Sequence, residues 1–193
     1  MTDPAKTQKS VLRAELRAKR DVFVSAMTPG EREAAEASLG SLAADTLESA
    51  HVVAGYIGLG SEISCMAILA RAAANGAATA LAHVDGRDRP MRFLRWFPGD
   101  PLDRGWFNLL QPPADSPELF PDLILTPLLG FDSQFMRIGQ GAGFYDRVFA
   151  ANRTARRLGV AWSVQAVQKI PCDPWDQPLD MVCTERKLLH QGF

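Results

Sequence analysis

Cysteine is scarce in this chain: three residues among 193, at positions 65, 172 and 183. An odd number so widely spaced excludes a fully paired disulfide framework and offers no zinc spacing. Buried free thiols in a reducing cytoplasm are the expectation. Histidine is equally sparse, and His51, His83 and His190 form neither a metal pattern nor a triad. An excess of one charge is also missing: 21 Lys and Arg against 22 Asp and Glu leave a formal net charge of −1. No global field then recruits nucleic acid or an anionic membrane, so any polyanion site must be local. No apolar run approaches the ~20 residues of a bilayer span. Residues 1–10 (MTDPAKTQKS) lack the apolar core of a secretory signal. A cytoplasmic monomer acting on small molecules, with neither membrane nor nucleic acid as partner, is expected. The remaining composition is ordinary. A content of 47% hydrophobic and 22% charged residues fits a globular chain with a substantial core. No repeat, low-complexity tract or composition break divides 1–193, so one domain is expected.

The chain is organised around Met136–Arg147, MRIGQGAGFYDR. Gly139, Gly141 and Gly143 alternate, Arg137 precedes them and Tyr145-Asp146-Arg147 follows. Upstream, Asp122–Pro127 (DLILTP) reads as a buried strand; downstream, Phe144–Ala151 can turn into a helix. Strand, glycine-rich turn, helix is the order in which α/β folds build anion sites. Glycines let the backbone approach closely, and N–H groups at a helix start point at the ligand. Arg137 adds a planar fork suited to phosphate or carboxylate, and Asp146 stands where a Mg²⁺ ligand could face that phosphate. Glycine-rich turns without a ligand are common, so the spacing alone leaves both readings open.

The flanking chain reads as alternating helices and strands. Residues 4–26 form a first helix with Leu12, Leu16 and Phe23 on one stripe and Lys6, Lys9, Arg13, Arg17 and Arg20 on another. The basic stripe lies roughly 90° around from the apolar one. It is either a solvated basic face or an edge from which Lys9 and Arg13, one turn apart, reach a phosphate. Thr28-Pro29-Gly30-Glu31 is a capping box with proline at the first helical position, and this second helix runs to about Glu48, with Ala35, Leu39, Leu42 and Leu47 inward. His51–Ile57 is a strand, Ser64–Asn75 a helix stopped by Gly76, and Ala77–Val84 a strand. Met91–Phe97 alternates and reads as an antiparallel, half-exposed strand. Pro98–Pro117 is a long irregular stretch of the kind that often binds ligands, with Trp106 either a cap on the core or a ligand wall. Arg156-Arg157 end a helix, Leu158–Val164 is a strand, and Asp180–Thr184 is a short last strand. The pattern implies a mainly parallel sheet covered on both faces.

These residues resemble the 5-formyltetrahydrofolate cyclo-ligase family, also called methenyltetrahydrofolate synthetases. The family's signature, close to R-L-G-x-G-x-G-Y-Y-D-R, is matched by Arg137–Arg147. Its K-x-x-L-R is matched by Lys9–Arg13, and its strand Tyr followed by Glu by Tyr56 and Glu62. Further matches are Met91-Arg-Phe93, Gly159–Gln165, and the late series Pro171, Asp176, Asp180 and Thr184-Glu185.

The resemblance implies a single three-layer α/β/α domain. It implies ATP- and Mg²⁺-dependent conversion of 5-formyltetrahydrofolate to 5,10-methenyltetrahydrofolate through phosphorylation of the formyl oxygen. Carried over, Lys9, Arg13, Arg137, Gly139, Gln140, Gly141, Ala142, Gly143, Phe144 and Tyr145 would hold ATP. Arg137 and Tyr145 would be catalytic. Ile57, Glu62, Met91, Trp106 and Tyr145 would contact the folate, with Glu62 accepting from the pterin amines. Asp146, with Asp180 as a second candidate, would serve Mg²⁺. Four positions depart from the family pattern. Phe144 replaces the first Tyr, Ala142 a frequent Gly, Gln111 a frequent Glu and Trp175 a frequent His. They bear on substrate fit, and Phe144, Ala142 and Trp175 motivate a second reading, a folate- or nucleotide-binding paralogue without turnover. A sugar-phosphate or CoA-type enzyme on the same architecture ranks last, since no acyl-accepting Glu or phosphosugar base stands out.

Overall fold

The computed structural model describes residues 4–191, with the side chains of residues 4–6 and Phe107 excepted. The expected place of Lys6 on the basic stripe therefore lies outside the described residues, as does that of the first three residues in the polar N-terminal segment. The chain begins with α1 (Pro4–Ser25), α2 (Pro29–Leu42) and a short α3 (Ala44–Leu47). There follow β1 (Val52–Gly55), α4 (Met66–Ala74), β2 (Ala78–His83) and β3 (Arg92–Arg95). A hairpin of β4 (Asp103–Arg104) and β5 (Leu110–Gln111) precedes β6 (Leu123–Pro127). A second hairpin, β7 (Gly130–Phe131) and β8 (Arg137–Ile138), leads to α5 (Phe144–Ala151). The chain ends with β9 (Arg156–Val160), β10 (Met181–Cys183) and β11 (Leu188–His190).

Seven strands form one sheet in the order β11-β10-β9-β6-β1-β2-β3. The five central strands are parallel, while β3 and β11 pair antiparallel at the two edges. The expected mainly parallel α/β sheet is thus present. Strand side chains alternate between the two faces. Val53, Leu81, Leu123 and Leu125 pack with Leu39 of α2 and Ile68 and Leu69 of α4. Ala54, Ala80, Ile124 and Val182 face the other way, against Phe149 of α5. Helix α1 crosses onto the 3₁₀ turn Ser163–Gln165, where the Phe23 and Trp162 rings lie 5.8 Å apart. Leu16 of α1 is buried with Leu129, Ile138 and Ile170. No helix among the described residues is long and apolar enough to cross a membrane.

The capping box forms as written: Glu31 N–H donates to Thr28 Oγ1 at 3.3 Å, and Thr28 N–H donates to Glu31 at 2.8 Å. Other expectations need correction. The second helix does not run unbroken to Glu48, because Ala43 leaves helical geometry and α3 restarts the turn. Arg156 and Arg157 do not end a helix but open β9, their backbone paired with Leu123 and Ile124 of β6. Pairing with a central strand outweighs the local helical pattern there. β9 stops at Val160, short of the expected Val164. The 98–117 stretch is less irregular than expected, since Asp103 and Arg104 pair with Gln111 and Leu110 around a 3₁₀ turn. Asp180–Thr184 is not the last strand, because β11 follows it. Cys65 and Cys183 are buried as expected, but Cys172 is exposed.

Candidate active site

The strand order places the site. From β1 the chain moves outward to β2 and β3, then returns to lay β6 on the other side of β1. The order reverses between β1 and β6, and in open parallel sheets the crevice beyond the carboxyl ends of such strands is where ligands bind. The segment after β1 carries Tyr56, Ile57 and Glu62; the segment after β6 carries the second hairpin and the glycine turn.

The glycine turn needs its glycines at two points. Gly141 has φ +100° and Gly143, the residue before α5, has φ +68°. Both lie in the left-handed region that costs an ordinary residue about 1–2 kcal/mol. A Cβ on Gly141 would also sit 3.3 Å from the Arg13 guanidinium carbon, whereas one on Gly139 would meet nothing within 4 Å. The turn is therefore packed on one side by a cation and open at Gly139, the shape of a cradle for an anion.

The basic stripe of α1 docks along this turn, so it is not a merely solvated face. Arg13 Nε donates to Gly139 O at 3.0 Å and Arg17 Nη2 to Gln140 Oε1 at 2.6 Å. Lys9 Nζ lies 2.6 Å from Asp173 and 2.5 Å from Asp176, in the loop before β10. Burial lowers the Lys9 pKa, but the hydrogen bonds and charges of these two carboxylates outweigh it, and the net shift is upward. Arg20 is buried; its Nε donates to Ser61 Oγ at 2.9 Å and its Nη1 lies 3.6 Å from Glu62 Oε1.

Arg137 is also buried. Its Nη2 donates to Asp146 at 2.8 Å and its Nη1 to Gln177 O at 2.7 Å, and its guanidinium carbon lies 4.7 Å from the centre of the Phe149 ring. The fork is thus held between a carboxylate, a carbonyl and an aromatic face. Asp146, the expected metal ligand, is in the first turn of α5, which starts directly after Gly143. Asp180 does not share that setting: its carboxylate accepts from Arg157 N–H at 2.7 Å at the start of β9. Among the described residues, no three His, Cys, Asp or Glu side chains converge as a metal cage. A Mg²⁺ that keeps waters and phosphate oxygens needs only one or two carboxylates, so Asp146 beside the cradle fits such an ion.

An apolar cluster adjoins the turn through Phe144 and Tyr145. Met91 is buried among Phe131, Phe135 and Phe149, and Trp106, Phe144 and Tyr145 pack on the same cluster. The Trp106 and Phe144 rings meet edge to face at 6.0 Å. Phe144, the first departure from the family pattern, thus serves as an apolar surface. Tyr145 places its hydroxyl in a buried position without a hydrogen-bond partner in the protein. Burial raises its pKa, so it remains a hydroxyl and a donor. A buried orphan donor is uncommon in proteins. Glu62 is buried; its Oε1 accepts from Gln140 Nε2 at 3.0 Å and its Oε2 from Leu59 N–H at 3.1 Å. Beside Trp106, a cleft of about 420 Å³ opens toward Asp85, Arg104 and Gln111. Gln111, the position of another departure, is buried and accepts from Val84 N–H at 3.1 Å. Trp175 is exposed.

Sequence reasoning missed the roles of Arg20, Asp132 and Gln165. Asp132 is buried and accepts from the N–H groups of Gln134, Met136 and Ile170, which fixes the loop feeding the glycine turn. Gln165 donates to Leu128 O at 2.7 Å just beyond β6. A lone buried acid or amide carries no periodic signal, so nothing in the local sequence points to these partners.

A switch-point crevice with a glycine turn, cations along it, an aromatic wall and a buried carboxylate defines an α/β protein whose crevice offers N–H and guanidinium donors to an anion and one carboxylate to a polar ligand. The class is narrowed by comparison with known families. The model of the 5-formyltetrahydrofolate cyclo-ligase family matches residues 5–185, and the chain belongs to that family. A 5-formyltetrahydrofolate cyclo-ligase of Mycolicibacterium smegmatis is 32% identical over 191 residues, covering 93% of this chain and 94% of the relative. The cyclo-ligase of Haemophilus influenzae is 34% identical over 45% of this chain and 50% of its own length. That of Escherichia coli is 33% identical over 50% of this chain and 56% of its own. The chain thus matches about half the length of these last two relatives. Among solved structures, the 5,10-methenyltetrahydrofolate synthetase of Aquifex aeolicus superposes with a TM-score of 0.78 at 24% identity, covering 96% of this chain and 93% of that one. The Mycoplasma pneumoniae synthetase gives 0.70 at 20% identity, covering 92% and 98%. These two show a shared fold.

Proposed function

We propose that the protein is an ATP- and Mg²⁺-dependent enzyme converting 5-formyltetrahydrofolate to 5,10-methenyltetrahydrofolate, with residues 1–193 acting as one cytoplasmic, monomeric domain. The observation that carries the proposal is the meeting of two unlike subsites. Gln140, in the middle of the anion cradle, is hydrogen-bonded to Glu62, the buried carboxylate of the aromatic-walled side. Family membership and the M. smegmatis relative support the same reading.

Bound ATP would supply the phosphoryl group that makes the formyl oxygen a leaving group, so that N10 of the folate can close the ring. The residues of the chain bind, orient and shield. Gly139, Gly141, Ala142 and Gly143 present backbone around the phosphates at the start of α5, while Lys9, Arg13 and Arg137 offset their charge. Asp146 would hold Mg²⁺ against them, whereas Asp180, engaged with Arg157 N–H, stands apart. Glu62 accepts from the pterin amines. Ile57, Met91, Trp106 and Phe144 exclude water from the ring system. The Tyr145 hydroxyl donates to the reacting end of the folate, which gives its orphan proton an acceptor. No strong base is required, so positioning and electrostatics supply most of the rate.

The test is a turnover assay. Purified protein with 5-formyltetrahydrofolate and Mg·ATP should develop the near-ultraviolet absorbance of methenyltetrahydrofolate, and the ATP-free control should not. A flat trace from a folded protein that binds formylfolate would instead favour the non-catalytic paralogue and turn attention to Ala142, Phe144 and Trp175.

A further inference from the structure

We propose that Gln140 is a positioning residue that couples the two subsites, so that nucleotide in the cradle strengthens folate binding at Glu62 and the reverse. The inference rests on the cyclo-ligase reading of those subsites. The Gln140 carboxamide spans the crevice. Its Oε1 accepts from Arg17 Nη2 at 2.6 Å, and its Nε2 donates to Glu62 Oε1 at 3.0 Å. Its own backbone lies between Gly139 and Gly141, the open and the left-handed positions of the cradle.

Glu62 is held in one plane by this contact. A carboxylate offers two lone pairs on each oxygen. Gln140 Nε2 takes one on Oε1 and Leu59 N–H takes one on Oε2. One acceptor site is left on each oxygen, which suits a pair of N–H donors on the edge of a planar heterocycle. Arg20 Nη1, buried and without a hydrogen-bond partner, lies 3.6 Å from Oε1, too far to take either of the remaining lone pairs as a hydrogen bond. If Gln140 leaves, Glu62 loses the contact that sets its rotation about the last bond. If the cradle tightens on phosphate, Gln140 is fixed, and with it Glu62. Arg17 anchors the far end of the amide, so orientation of the amide is set by α1 and orientation of the carboxylate by the amide. Two sites that share one such element bias each other reciprocally.

The experiment is a binding square. Formylfolate affinity is measured by intrinsic fluorescence with and without a non-hydrolysable Mg·ATP analogue, in the wild type, Gln140→Met and Arg17→Met. Wild-type affinity should rise by about fivefold or more with the analogue, the lower bound of usual coupling. In Gln140→Met the two ligands should bind independently, to within about twofold, whatever each affinity alone has become. Arg17→Met, which leaves the Gln140–Glu62 bond in place, should lower the coupling without abolishing it. Full coupling in a folded Gln140→Met variant would overturn the proposal, as would a wild type that binds both ligands independently. A wild type that binds neither ligand would overturn the cyclo-ligase reading itself and the coupling with it.

Discussion

Replacing Asp146 by Asn separates its structural from its functional contribution. In the protein the carboxylate accepts from Arg137 Nη2 at 2.8 Å; the Arg137 side chain is 5% exposed and that of Asp146 29%. A hydrogen bond to a charged group contributes about 1.5–3 kcal/mol. Asn keeps an oxygen acceptor at the same place, Arg137 keeps Gln177 O and the Phe149 face, and solvent already reaches Asp146. Most of that contribution therefore survives, and the expected loss is about 1 kcal/mol, or about 2–4 °C in Tm for a chain of this size. The functional loss should be far larger. Changing a residue that only supports a metal ligand costs about 10- to 100-fold, so losing a ligand should lower kcat/KM by at least about 100-fold. The assay is methenyltetrahydrofolate formation at limiting and at saturating Mg²⁺, beside a thermal melt. Activity should recover in part as Mg²⁺ is raised. Wild-type turnover at limiting Mg²⁺ in the folded variant would refute the metal assignment.

Tyr145→Phe should leave Tm unchanged or slightly raised, because the deleted hydroxyl has no partner, while formylfolate KM or kcat worsens several-fold in steady-state kinetics. Lys9→Met should cost stability below pH 10.5, the ordinary lysine value, because the raised pKa of Lys9 makes its ion pairs fully present there. The difference in Tm between wild type and variant should shrink as pH rises past that value, since stability from a raised lysine pKa is lost as the folded-state group deprotonates. Burial pushes the Cys65 and Cys183 thiols up to about 12, so Ellman's reagent at about pH 8 should titrate Cys172 alone in the native protein. All three thiols should react after denaturation.

The glycine turn and its arginine were legible in the sequence because their chemistry is local: alternate glycines, a preceding cation and a following helix lie within one short run. The α2 start was legible for the same reason, since the Thr28–Glu31 box closes over four residues. Strand polarity at the edge was readable from the alternation of Met91–Phe97, and β3 does pair antiparallel with β2. What escaped was set by distant partners. Arg156 and Arg157 look like a helix end until β6 lies beside them. The basic stripe of α1 looks solvated until Asp173, Asp176, Gly139, Gln140 and Ser61 arrive from far along the chain. Periodicity reports which face a residue occupies, not which partner meets that face. The ion pair between Arg137 and Asp146 joins residues nine apart whose local chemistry points as readily to a phosphate and a metal as to each other.

The contact of Lys9 with Asp173 and Asp176 spans 164 and 167 residues. A ribosome releases the first helix long before it makes the carboxylates that receive it. The crevice thus cannot be finished until residue 176 has been made, and α1 must wait, its cations in water, until the loop bearing Asp173 and Asp176 has emerged. The same closure ties α1 to the segment before β10. A truncation that removes α1 up to Lys9, or a circular permutation that opens new termini in the 173–177 loop, should keep the central sheet and lose the crevice.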